Sequence, residues 1–191
     1  RRWRNLDNRI MAITINGNGT ITGLSVGGLP DGTVDRDTLA VAAKGSVLQF
    51  KYAQKTATQT LSSNSTWTDI TDLSIDITPK VSGNTLVFTL LARFGNDTSS
   101  GNGIRLIRDS STVIGNSSGA DNALSNVSYN IGGNRPYMDI SHMWFDTSSG
   151  TSQVNYKIQA YKQSGSFQFN GRGGEANDGK YCQLTVMEIA A

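Results

Sequence analysis

The residues able to do chemistry in this chain are few. Nucleophilic catalysis needs a serine, threonine or cysteine beside a base that a third group orients, and the chain holds one histidine, His142, in the run Asp139 to His142. Strand alternation puts His142 on one face with Ile140 and Trp144, so a packed or interface histidine is the plainer reading. No Gly-x-Ser-x-Gly elbow accompanies it. Glycosidic hydrolysis asks for two placed carboxylates, one with a raised pKa. Asp69, Asp72, Asp76, Asp139 and Asp146 are available, but nearly any sequence offers such a set. One cysteine, Cys182, and one histidine cannot build a zinc site. The run Asp31 to Asp37 (DGTVDRD) lacks calcium-loop spacing and the terminal glutamate, and reads as a turn entering a helix. The glycines of 101–103 and 171–174 lack the lysine and spacing of a phosphate loop. The sequence therefore predicts no catalytic residue, no metal and no cofactor.

Binding fits the composition better than catalysis, because loops rich in asparagine, glycine, serine and aromatics give adaptable hydrogen bonding on a rigid scaffold. Tyr137, Trp144, Tyr161, Arg172 and Asn177 lie near strand ends or in the glycine-rich stretch 170–180, where an aromatic face can stack on a sugar. For Tyr137 and Trp144 the plainer reading is core or subunit interface. A second candidate is the amino-terminal stretch 1–10, where Arg1, Arg2, Trp3, Arg4 and Arg9 make a local composition unlike anything downstream. Arginine and tryptophan are favoured interface anchors, which makes this arm a docking peg for a partner.

The elements that position these residues follow from composition and periodicity. Of 191 residues, 37% are apolar and 17% charged, and 21 are glycine. Glutamate occurs only at Glu175 and Glu188, so the chain is poor in helix formers and rich in threonine, which excludes an all-helical protein. No stretch approaches the roughly 20 apolar residues of a membrane span. No basic-then-apolar leader opens the chain, so a soluble, unprocessed protein without a membrane partner is expected. A net charge of +2 points to no nucleic-acid partner. A lone cysteine suits assembly in a reducing cytoplasm.

Residues 11–45 are short threonine, isoleucine and leucine pieces broken by glycine. They hold too few large apolar side chains to offset an ordering cost of roughly 1 to 2 kcal/mol per residue. Such a segment is a linker or is ordered by other chains, with a short helix expected over 33–43. From residue 46 the pattern turns to period two. The runs are Val47 to Thr58, Thr66 to Thr78, Asn84 to Phe94, Ile104 to Arg108, Thr112 to Gly115, Tyr137 to Phe145, Val154 to Tyr161, Ser166 to Asn170 and Tyr181 to Ile189. Asn84 to Phe94 stands apart. Leu86, Phe88, Leu90, Ala92 and Phe94 share one face, while Val87 and Leu91 make the other face apolar too, so the strand wants cover on both sides. The expected fold is all-β, an antiparallel, jelly-roll-like β-sandwich over 46–191, preceded by an extended segment at 11–45 and the arm at 1–10.

Three passages carry a family resemblance. They are Met11 to Leu24 (MAITINGNGTITGL) with Gly27 to Asp35 (GGLPDGTVD), Gly45 to Gln49 (GSVLQ), and the closing Leu184 to Ala191 (LTVMEIAA). From Met11 to Ala191 the chain resembles short tail-fibre or virion-fibre proteins of tailed phages, notably of cyanobacterial and other aquatic hosts; residues 1–10 depart from that pattern. The resemblance implies a homotrimer with an interwound amino-terminal region and a carboxy-terminal β-sandwich head, assembled in the host cytoplasm and residing in the virion. The basic arm would attach the trimer to another virion protein of tail, baseplate or capsid. The head would meet a host-surface polysaccharide. A capsid-surface fibre or cement protein is the alternative role. A carbohydrate-active enzyme is opposed by the few carboxylates, the lone histidine and the absence of a long repetitive β-helix. A bacterial carbohydrate-binding module is opposed by the missing leader.

Overall fold

A computed structural model describes residues 14–15, 21–22, 45–96, 101–115, 124–125, 137–172, 175–176 and 182–191. The arm residues Arg1, Arg2, Trp3, Arg4 and Arg9, the helix expected over 33–43, and Asn177 lie outside the described residues. The chain divides into two compact units, Arg1–Ala42 and Ala43–Ala191. In the first, β1 (Thr14–Ile15) pairs antiparallel with β2 (Ile21–Thr22), Ile15 opposite Ile21.

The second unit is all-β, with no helix among its described residues. Its strands are β3 (Val47–Lys55), β4 (Gln59–Thr60), β5 (Thr66–Ile77), β6 (Thr85–Asn96), β7 (Asn102–Arg108), β8 (Thr112–Ile114), β9 (Leu124–Ser125), β10 (Tyr137–Thr147), β11 (Val154–Lys162), β12 (Phe167–Phe169), β13 (Gly171–Arg172), β14 (Glu175–Ala176) and β15 (Cys182–Ile189). Each alternating run of the sequence becomes a strand within a few residues. The first ends early, at Lys55, because Thr56 turns away, its carbonyl accepting a hydrogen bond from the Asn170 amide. Asn170 itself sits at φ +55°, a left-handed conformation that asparagine tolerates.

Every pairing is antiparallel, and the strands form two main sheets. In the first, β10 flanks one edge of β6 over Thr85–Gly95, β15 pairs with it over Thr85–Leu91, β3 lies outside β15, and β12 pairs the far end of β6 and carries β4. In the second the order is β5-β11-β7-β8, with β9 also on β7. The two sheets pack as a sandwich, because period-two alternation gives each one apolar inner face. Leu86, Phe88, Leu90 and Phe94 of β6 meet Ile75, Ile77, Ile104, Leu106, Tyr156 and Ile158 in one buried cluster. The Phe88 and Tyr156 ring centroids are 4.4 Å apart. On β5 the alternation is interrupted by a bulge opposite Lys157 and Gln159. Ile70 and Leu73 therefore both reach the core, with Asp72 at φ +66° taking up the extra length.

Polar groups hold the two sheets in register where apolar packing gives out. Asp146 on β10 accepts 2.7 Å from the Tyr156 hydroxyl of β11 and 2.9 Å from the Arg108 guanidinium of β7. Burial raises the Tyr156 pKa strongly, and the hydrogen bond to Asp146 adds to that rise. At the opposite margin Gln49 and Lys51 of β3 donate to the carbonyls of Thr78 and Asp76. Glu188, fully buried on β15, accepts from the side chains of Gln49 and Asn84 and from the backbone N–H groups of Lys80 and Val81. A carboxylate can be buried only with such a donor set around it.

Burial pushes the Glu188 carboxyl up, and those hydrogen bonds together outweigh it, holding the pKa below the ordinary 4.5. The folded state thus takes up this proton at lower pH than the unfolded chain. The stabilisation is complete above pH 4.5 and is lost as pH falls through the depressed folded value. Glu188→Gln turns an amide toward these donors, and at about 1–3 kcal/mol for each group left unpaired the expected loss is at least about 2 kcal/mol. Urea unfolding at neutral pH measures it, and the gap between variant and parent should shrink in acid.

Candidate functional site

The outward face of the first sheet is built by the residues that alternate with the core. Register places Phe50 beside Met187, Met187 beside Val87, and Val87 beside Phe145, a row crossing four strands. The next row is Tyr52, Thr185, Thr89 and Met143, and the one after it Gln54, Gln183, Leu91 and Ser141. These rows carry no charged side chain. The first charges beyond them are Arg93 and Asp139, bonded to each other at 2.6 Å. Phe50, Tyr52, Leu91, Met143 and Phe145 are 51–62% exposed, and with Val47 on the neighbouring row they make up the exposed large hydrophobics of the described residues. Aromatic side chains carry about 150–250 Å² each, so three rings more than half exposed, with Leu91 and Met143, make a patch on the order of 500 Å². That is near the upper end for a lone protein, whose largest patch is about 300–600 Å². Beside it an open cleft of about 400 Å³ runs between the sheet margins, lined by Phe50, Lys51, Tyr52, Ser74, Ile75 and Asp76.

The outward face of the second sheet is different in kind. Trp67 of β5 and Tyr161 of β11 lie opposite each other, ring centroids 5.4 Å apart. The Arg105 guanidinium of β7 sits 4.1 Å from the centre of the Trp67 ring and donates to Gln159, which in turn donates to Asp69. Lys157 pairs with Asp69 at 2.7 Å. Burial alone raises the Asp69 pKa, but the hydrogen bonds from Lys157 and Gln159 and the charges of Lys157 and Arg105 bring it below the ordinary value.

The residues singled out from sequence scatter over this frame. Trp144 is 6% exposed and faces the core opposite Phe88, so its ring meets protein. Gly115, at φ +104°, passes so close that a Cβ there would lie 3.0 Å from the Trp144 ring. Tyr137 is half-buried beneath the Arg93 guanidinium at the charged rim of the first sheet. Tyr161 belongs to the aromatic pair of the second sheet, on the other side of the molecule from both. Arg172 lies on β13, opposite Glu175 of β14. His142 packs edge-on against Trp144 at 4.5 Å, and burial lowers its pKa, so it is neutral at pH 7. The aspartates are spread as well: Asp69 and Asp76 face outward on the second sheet, Asp139 on the first, and Asp146 bridges the two. Among the described residues no three histidine, cysteine, aspartate or glutamate side chains are grouped to hold a metal ion.

Sequence reasoning missed Phe50, Tyr52, Met143 and Phe145 as one surface, and Trp67, Arg105 and Gln159 as another. The signal was present in the off-phase residues of each alternating run, but only strand order puts them side by side. No family model matches the chain, and no match is found among curated proteins.

Trp144→Ala removes a ring from the core and should cost about 3–5 kcal/mol. Thermal unfolding reads this as a large drop in Tm. An unchanged Tm would mean that the ring is not part of the core.

Proposed function

We propose that the chain is a non-enzymatic structural fibre protein of a phage virion. It assembles as a homotrimer, its basic arm attached to the particle and its jelly-roll-like sandwich head turned toward host-surface glycan. The observation that carries this reading is the uncharged apolar face of the first sheet, centred on the row Phe50, Met187, Val87 and Phe145. Large exposed apolar patches on a soluble protein mark sites of interaction. Here twelve positions over three rows carry no charge, and the most exposed large hydrophobics among them are aromatic. Covering on the order of 500 Å² contributes roughly 10 kcal/mol gross per subunit at about 25 cal/mol per Å². A closed ring of identical subunits can hide the same patch on every copy without leaving an open end. The family resemblance of residues 11–191 supplies the trimer, the virion and the host glycan. The arginines and tryptophan of 1–10 supply the attachment.

Phe145→Asp and Phe50→Asp place carboxylates at opposite ends of the central row, on side chains 59% and 55% exposed in the single chain. The isolated subunit should therefore fold unchanged while the assembly comes apart. Light scattering at micromolar concentration should give the trimer mass for the parent and the 20.5 kDa of one chain for the double variant. A parent that runs as a monomer contradicts the proposal. Deleting residues 1–9 should leave the soluble trimer intact and abolish incorporation into particles, as read by immunoblot of purified virions.

A further inference from the structure

The outer face of the second sheet carries a constellation that neither the core nor the apolar face of the first sheet uses. Trp67, Tyr161, Arg105, Gln159, Asp69 and Lys157 stand on three adjacent strands, side by side by register: Trp67 opposite Tyr161, and Asp69 opposite Gln159, itself opposite Arg105. Both rings are half-exposed. The indole is fixed by the guanidinium 4.1 Å from its centre and by the Tyr161 ring at 5.4 Å. The polar groups beside it are held by one another, through Arg105 to Gln159, Gln159 to Asp69 and Lys157 to Asp69. Little side-chain ordering is left to be done when something binds, which removes a principal cost of association.

We propose that this face is a carbohydrate-binding site for a pyranose-containing oligosaccharide. A pyranose ring has an apolar side whose C–H groups carry slight positive charge and meet the negative face of an aromatic ring. Its rim carries hydroxyls that both donate and accept. Trp67 and Tyr161 offer the rings. The carboxylate of Asp69 offers acceptors, Arg105 and Lys157 offer donors, and the Gln159 amide offers both, all on the same face of β5, β11 and β7 as the aromatic pair. A peptide fits less well, because β11 at the middle of the three strands is paired on both edges and has no backbone groups left to add a strand. The inference deepens the proposed glycan-contacting role of the head by naming the side chains that would perform it. Because it sits on the second sheet, three copies assembled through the first would each keep it, and weak single sites would multiply in avidity.

The test uses the full chain labelled with ¹⁵N, titrated with hexamers of glucose, of N-acetylglucosamine and of galacturonate, and followed by the indole N–H signals. Trp67→Phe assigns the Trp67 signal. The expected result is a saturable shift of the Trp67 indole at micromolar to millimolar concentration of at least one hexamer, with the Trp144 signal unmoved. Tyr161→Ala and Lys157→Ala should each raise Kd at least about tenfold, a loss of about 1.4 kcal/mol. No shift with any of the three hexamers overturns the proposal, as does an affinity that survives both substitutions. A chain that binds but runs as a monomer leaves the site standing and removes the trimer; a trimer that does not bind does the reverse.

Discussion

Strand β6 sets the terms for the whole sandwich. It pairs with three strands of the first sheet, β10 over Thr85–Gly95, β15 over Thr85–Leu91 and β12 at Phe94–Asn96, and it is apolar on both sides. Inward, Leu86, Phe88, Leu90, Ala92 and Phe94 are 0–3% exposed and form the centre of the core. Outward, Val87 and Leu91 lie among Phe145, Met143, Met187 and Phe50. Strands apolar on both sides are the kind found covered on both faces. The second sheet covers the inner face, and within one chain the described residues leave Leu91 of the outer face 51% exposed. In the proposed trimer the chain's own copies supply that cover.

Beneath the face proposed for assembly, buried polar groups tie the strands together. Asp146 ties β10 to β7 and β11, and the donors around Glu188 tie β15 to β3 and to the turn after β5. Both clamps lie beneath the apolar rows: Asp146 neighbours Phe145 in sequence, and Glu188 neighbours Met187. Each carboxylate would be costly to bury alone. Surrounded by donors, each fixes the position of a strand whose next residue points outward into the face. The outward pattern on the second sheet follows a different rule. There the aromatic pair is interleaved with charge, so the two outer surfaces of one sandwich differ in kind, as the proposed division between self-association and ligand contact requires.

Much of this was legible in the sequence. Period-two alternation placed the long strands, and the double apolar character of Asn84 to Phe94 appears in β6 as a buried inner face with Val87 and Leu91 on the outer one. Trp144 shared a face with Ile140 and His142, as the alternation of Tyr137 to Phe145 requires. What alternation could not supply was order: nothing local says that Phe50 lies two strands from Val87, because that adjacency arises from β15, some 130 residues further along. The same holds for Trp67 and Arg105, joined through β11. The bulge on β5 was also invisible, since Asp72 in a left-handed turn looks like one more polar residue in an alternating run. Buried Glu188 gave no sequence signal beyond its rarity; its role emerges only when the backbone N–H groups of Lys80 and Val81 converge on it.

The central claim is that the outer face of the first sheet is buried in the working protein. Hydroxyl-radical footprinting read by mass spectrometry tests it directly, since methionine and aromatic side chains react in proportion to their exposure to water. If the claim holds, Phe50, Tyr52, Met143 and Phe145, all more than half exposed in the single chain, will be protected at micromolar concentration, and Trp67 and Tyr161 on the other face will be modified. Modification of Met143 and Phe145 at the rate their single-chain exposure dictates would contradict it.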